Sequence, residues 1–183
     1  MPDYLDSIKH FRPTTQQEKV DQHQILIYES LFSNLLERQN TIAHYTSSLF
    51  IVNKERTKVL FIYHKLYDAW CWVGGHADGE KNLAKVALKE AQEETGLVDV
   101  SLISKEIVSL DILPVAGHFK KGKWVSAHQH LSVAFLGEAD DTLPLKVNQE
   151  ETKAVSWLPI EQLEVKSGEA HMLPIYQKIV AKI

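Results

Sequence analysis

Three glutamates, Glu90, Glu93 and Glu94, close the helix-forming run LAKVALKEAQEET of a 183-residue chain. With Glu90 set at zero and a turn of about 100° per residue, Glu94 falls at about +40° and Glu93 at about −60°, so the three share one face. Leu83, Val86 and Ala87 fall on that side, whereas Lys85, Lys89 and Gln92 fall opposite. The carboxylates therefore extend the apolar stripe of the helix rather than its solvent side.

Such crowding is costly. Like charges at i,i+3 or i,i+4 lose roughly 0.2–0.5 kcal/mol per pair even on an exposed helix. Anions near a helix C-terminus lose about 0.3–1 kcal/mol each to the macrodipole, and desolvation adds a third penalty. Lys89, four residues before Glu93, softens one charge but is expected to point away from Glu90 and Glu94. A bound cation resolves the conflict, and oxygen-only ligands select a hard one, Mg²⁺ or in its place Mn²⁺. The competing explanation, a solvated acidic surface, has the stripe against it.

The elements that must position these groups follow from pattern. Residues 14–38 carry Val20, Ile27, Leu31 and Leu35 at helical spacing and predict an N-terminal helical segment. YTSSLFIVN and KVLFIYH, separated by the polar KERT, predict a β-hairpin, followed by a loop with Trp70 and Trp72. Asn82 is the expected N-cap of the glutamate helix and Gly96 the residue that closes it. SLISKEIVSLDILPV, HQHLSVAFLGE and KAVSWLPI read as strands around the turn-rich GHFKKGK, and AHMLPIYQKIVAKI as a final helix. The class is mixed α/β, with strands and helices interleaved.

Composition narrows the function. A formal net charge of −4 argues against a nucleic-acid polymer as partner. No stretch of eighteen apolar residues reads as a membrane span, and the N-terminus has no secretory pattern, so the expected location is cytoplasmic. The single cysteine, Cys71, lies in an apolar stretch and reads as a buried small hydrophobe.

From Gly75 to Leu97 the chain resembles the Nudix box of the MutT-like hydrolases, G-x5-E-x7-R-E-U-x-E-E-x-G-U, where U is apolar. The order of hairpin, box helix and further strands over residues 44–165 is similar to the Nudix fold. The resemblance implies an α/β/α sandwich with a mixed β-sheet over residues 41–183, preceded here by a helical extension over 1–40. It further implies a Mg²⁺-dependent hydrolase of a nucleoside diphosphate linked to another moiety. Carried over, Glu90, Glu93 and Glu94 are the metal-binding and catalytic carboxylates, with the carbonyl of Gly74 as a further metal ligand. Glu93 is the residue that serves as ligand or base. Two positions depart: Lys81 stands where the family has Glu, and Lys89 where it has Arg. Glu80 and Asp78 are the candidate stand-ins for the missing carboxylate.

Around this motif, Gly75 and His76 line the expected pocket. Glu150 and Glu151 precede a strand where some Nudix enzymes place the base, against a default of loop solvation. His128 and His130 fall on one side of a strand by alternation and face a ligand, a metal or simply the surface. His44 has less to recommend it. Trp70, Trp72, Trp124 and Tyr63 offer stacking faces, though aromatics in strands are usually core. Lys120, Lys121 and Lys123 offer charge to a phosphate or form a solvated hairpin tip. A pyrophosphohydrolase competes with two other readings. One is a nucleotide-binding or regulatory module that lost turnover through Lys81 and Lys89. The other is an isopentenyl diphosphate isomerase, disfavoured because Cys71 lacks the surrounding cysteine and histidine pattern. The N-terminal helices are expected either to cover the pocket or to form a homodimer interface.

Overall fold

The protein is described from a computed structural model covering residues 4–120, 122–150 and 152–183. Two helices open the chain, α1 (Tyr4–His10) and α2 (Gln16–Leu31), the latter capped by the Thr15 side chain, which accepts the amide of Glu18. Strands β1 (Ala43–Val52) and β2 (Lys58–His64) form the expected hairpin, with Ile51 opposite Leu60. Asn53 organises its turn, because its Oδ1 accepts the amides of Thr57 and Lys58 at 2.9 Å each. Short strands β3 (Ala69–Cys71) and β4 (Val73–His76) lead to α3 (Leu83–Thr95). Asn82 caps α3 through the amide of Lys85, and Gly96 ends it in the left-handed region at φ 73°, as the sequence predicts.

The second half supplies β5 (Ser101–Leu102), β6 (Ser109–Val115), the hairpin β7 (His118–Lys120) and β8 (Lys123–Val125), then β9 (His128–Glu138) and β10 (Thr152–Pro159). A short α4 (Leu163–Lys166) and α5 (Leu173–Val180) finish it. The main sheet runs β10-β2-β1-β9-β5, with β3 on β2, β4 on β1 and β6 on β9. The β1–β9 pair is parallel and the others are antiparallel, so the sheet is mixed.

Central placement explains why all ten residues of β1 are buried. Alternation sends Tyr45, Leu49 and Ile51 to one face, in the core that also holds Leu83, Ala87 and Ala91 of α3. Phe50 and Val52 go to the other face, where they join Phe61, Trp72 and Tyr176. Helices thus cover both faces. At its other end that second face turns polar, carrying His44, Thr46 and Ser48 on β1 with His130 and Ser132 beside them on β9.

The N-terminal segment contributes Ile8, Ile25 and Leu35 to the first core. Its helix ends at Leu31, earlier than the pattern suggests, because Phe32 is extended. The expected stripe is also turned outward: Val20, Ile27 and Leu31 are 55%, 37% and 67% exposed. Polar groups on the opposite side win the inward position because the sheet offers them partners. Asp21 accepts the amide of Ile112 on the outer side of β6 at 2.8 Å, so the helix satisfies a sheet edge. Glu18, fully buried, meets Lys178 of α5 at 3.3 Å and Lys182 at 3.2 Å.

Candidate active site

The double glycine of β4 lets two neighbours approach the strand, β1 at Gly74 and α3 at Gly75. A Cβ on Gly74 would lie 2.4 Å from Ser48 Oγ and 2.8 Å from the Ser47 carbonyl oxygen, and one on Gly75 would lie 2.3 Å from Glu90 Cδ. The Gly74 amide donates to Glu94 Oε2 at 3.1 Å. Two carboxylates of the box therefore rest directly on the strand that carries the glycines.

Burial grades the three glutamates. Glu94 is 3% exposed, whereas the side chains of Glu90 and Glu93 are 20% and 53% exposed. The stripe thus takes in Glu94 and most of Glu90, while Glu93, on its shoulder, reaches solvent. Lys89 does not point away from Glu90, since its long stem swings back to place Nζ 3.0 Å from Glu93 Oε2 and 3.9 Å from Glu90 Oε1. The Glu93 hydrogen bond, with further help from both carboxylates, raises the Lys89 pKa.

Residues 77–80 are tethered on both sides. The Ala77 amide donates to the Tyr45 carbonyl at 3.1 Å and the Gly79 amide to the Leu36 carbonyl at 3.0 Å. Arg38 grips Asp78 with two hydrogen bonds, which hold the Asp78 carboxyl below its usual range. Glu80 accepts the Asn82 amide at 2.9 Å and pairs with Lys85 at 2.6 Å. Neither candidate stand-in is bonded to Lys89; both secure the loop instead, and the segment before β1 supplies the Arg38 clamp.

Beyond His76 lies a cluster that sequence spacing only half shows. His44 and His130 stand opposite each other in the parallel β1–β9 pair, and His76 pairs with Thr46. His76 and His130 each have a ring centroid 5.1 Å from that of His44, and His128 stacks on His44 at 4.9 Å. His44 Nδ1–H donates to the Asn40 carbonyl at 2.9 Å, and His128 Nδ1–H to the Ser126 carbonyl at 2.8 Å. The Nε2 atoms of His44 and His130 are buried with no hydrogen-bond partner, which costs about 1–3 kcal/mol apiece when nothing fills the gap. Burial, then Arg38 and His44, push His76 down to about 3, and burial, then His76 and His44, push His130 down to about 2. Burial lowers the His44 pKa as well, so the imidazoles of His44, His76 and His130 are neutral at neutral pH. Alternation exposes the 128/130 pair in the sequence, but the parallel partnership that adds His44 is long-range and leaves no local signal.

The other candidates disperse. Glu150 is exposed in the loop before β10, its amide donating to Asn148 Oδ1 at 3.2 Å, while Glu151 and Lys121 lie outside the described residues. Trp72 is core, against Tyr176, and Trp70 meets Tyr63 edge-on. Trp124 pairs with Phe119 on the exposed β7–β8 hairpin. Cys71 is buried, and burial raises its thiol pKa well above the ordinary value. An open groove of about 670 Å³ adjoins His128, lined also by Thr41, Ile42, Pro114 and Gln129.

Two donor sets of different chemistry thus stand near the strand end VGGH. The carboxylates of α3 are oxygen donors of the kind a hard cation takes. Among the described residues, the group of three ligand atoms within 4.8 Å of one another is His44, His76 and His130; the glutamates form no second such group. No described helix is long and apolar enough to cross a membrane.

A family model of the NUDIX domain matches residues 43–179. No curated protein matches the sequence significantly. Among solved structures, a NUDIX-family hydrolase from Clostridium perfringens is 23% identical with a TM-score of 0.51, over 76% of this chain and 97% of that one. A C. elegans Ap4A hydrolase in a binary complex is 17% identical, TM-score 0.55, over 75% and 96%. A MutT protein from Methanosarcina mazei Go1 is 15% identical, TM-score 0.58, over 78% and 96%.

Proposed function

The chain belongs to the NUDIX family, and from that premise we propose that it hydrolyses a pyrophosphate bond in a nucleoside diphosphate linked to another moiety, with Mg²⁺ or Mn²⁺ as cofactor. The observation that carries the reading is the seating of the half-buried Glu90 against Gly75 and of the buried Glu94 against Gly74, an oxygen-donor pair resting on one strand. These residues fit a hard cation in kind, and Glu90, Glu94 and the Gly74 carbonyl would hold it, with Glu93 beside them. Such an ion, when bound, neutralises diphosphate charge and makes water a better nucleophile.

The chain's own groups divide the remaining work. The Gly74 amide fixes one oxygen of Glu94, which orients the carboxylate before any substrate arrives. Glu93 is solvent-facing and held by Lys89, a position from which a carboxylate takes a proton from water. His76 and His130, kept neutral, carry no charge of their own beside the glycine strand, and His128 borders the groove. Glu150 and Glu151 are the alternative bases. The leaving group is set by loops and is open to test; the structural likeness to a nematode Ap4A hydrolase puts dinucleoside polyphosphates on the panel.

One observation favours a second reading. The Lys89 ammonium already offsets Glu93 and Glu90, which weakens the pull on a cation and suits a nucleotide-binding module with little turnover. Hydrolysis of a panel of nucleoside diphosphate sugars, dinucleoside polyphosphates and nucleoside triphosphates, with Mg²⁺ and with Mn²⁺, followed by chromatography of the nucleotide products, separates the two. Glu94→Gln keeps an acceptor for the Gly74 amide, so the fold should survive while turnover falls by about two orders of magnitude or more. Undiminished turnover in that variant overturns the assignment, and wild-type binding without turnover on the whole panel selects the module.

A further inference from the structure

Three neighbouring strands of the sheet, β4, β1 and β9, bring His76, His44 and His130 together with one ring nitrogen of each within 4.8 Å of the other two. The Asn40 carbonyl takes the Nδ1 proton of His44 and so leaves Nε2 as the lone-pair nitrogen. That atom is buried without a partner, and so is Nε2 of His130. Such orphaned nitrogens need an explanation, and ring stacking provides none for the lone pairs. We propose that His44, His76 and His130 form a binding site for a divalent cation of the Zn²⁺ class, distinct from the carboxylate set on α3.

The chemistry of the donors selects the ion. Imidazole nitrogen suits borderline transition metals, whereas Mg²⁺ takes oxygen, so the two donor sets sort different cations. Three nitrogens no more than 4.8 Å apart lie at most about 2.8 Å from a common centre. Zinc–nitrogen bonds are about 2.0–2.1 Å, so each ring closes in by less than about 1 Å. Asn40 is the outer partner that fixes the His44 tautomer, and it is itself anchored: its Oδ1 accepts the amides of Ile42 and Ala43 at 3.1 and 3.2 Å. Three nitrogen ligands leave a fourth position for water or a substrate oxygen. His128 is not a ligand, because its ring lies stacked on His44 at 28° and its Nδ1 is engaged by Ser126.

This site does not depend on the role given to the glutamates, and the test keeps the two apart. The full chain, stripped with a chelator, is titrated with Zn²⁺ against a chromophoric competitor and with Co²⁺ by visible absorption. One equivalent of Zn²⁺ is expected, along with a Co²⁺ spectrum of low-coordinate type that Zn²⁺ displaces. His44→Ala and His130→Ala should each weaken binding by about a hundredfold or more, while His128→Ala and Glu94→Gln leave it unchanged. Should either histidine variant fail to fold, long-range ¹H–¹⁵N spectra of the wild-type imidazoles take its place, with Zn²⁺ expected to shift the nitrogens of His44, His76 and His130. No stoichiometric uptake, binding that persists in folded His44→Ala and His130→Ala, equal loss in Glu94→Gln, or imidazole spectra that Zn²⁺ leaves unmoved overturns the proposal.

Discussion

Gly75 ties sequence to chemistry at the level of a single atom, because the hydrogen in place of a side chain is what leaves room for the Glu90 carboxylate. Adding one methyl group in Gly75→Ala sets a Cβ 2.3 Å from Glu90 Cδ, and the end of a long side chain yields before hydrogen-bonded backbone does. The glutamate is expected to swing away at little cost in stability, since exchanging strand glycine for alanine itself returns roughly 0.5–1 kcal/mol. Turnover should fall by about tenfold or more while the urea midpoint moves little; the kinetics of nucleotide-product formation beside a denaturation curve read both. Turnover equal to wild type would remove Glu90 from the reaction. At this scale the sequence was informative about Glu90 and Glu94, because a helical wheel already shows carboxylates continuing an apolar stripe. It misplaced Glu93 and Lys89, because both occupy shoulders of the helix, where side-chain length decides the contact.

The helix α2 shows how an element can be legible while its orientation is not. Its existence follows from an uninterrupted run of helix formers, yet its most apolar stripe, Val20, Ile27 and Leu31, faces out, and Glu18, Asp21 and Ile25 face in. The inward choice is made by partners far away in sequence, the amide of Ile112, Lys178 of α5 and Lys182 just after it, which no local pattern reveals. Ile25→Ala is therefore expected to cost about 2–5 kcal/mol, whereas Leu31→Ser should change stability by no more than about 0.5 kcal/mol. Urea denaturation of the two variants decides it, and the reverse ranking would restore the apolar stripe as the buried face. By contrast, the β1–β2 hairpin and the limits of α3 were readable almost to the residue. Their signals, alternation, a polar turn, an N-cap and a left-handed glycine, are all local.

At the scale of the whole molecule, the two chain ends meet through buried charge. Lys178 of α5 pairs with Asp111 of β6 and, at 3.3 Å, with Glu18 of α2, so helices from the two ends of the chain meet at the β6 edge of the sheet. Burial alone would push the Glu18 carboxyl up, but the Thr14 amide and the two lysines outweigh it and the pKa is lowered. Glu169, just ahead of α5, has no such rescue. Burial pushes its carboxyl from the ordinary 4.5 up to about 7, against a smaller opposing effect from the Tyr176 hydroxyl. Between these two values the unfolded chain has released a proton that the folded chain still holds, so folding stability must fall as pH rises through that window. Below it both states are protonated and above it both are ionised, and the loss no longer changes. Glu169→Gln removes the titration. Relative to wild type, the variant is expected to gain stability progressively from pH 4.5 to about 7 and to keep a constant advantage at higher pH. Urea midpoints measured on either side of that window test it. A difference between variant and wild type that does not vary with pH would mean that Glu169 is ionised in the fold as readily as in the open chain, and that burial does not hold its proton.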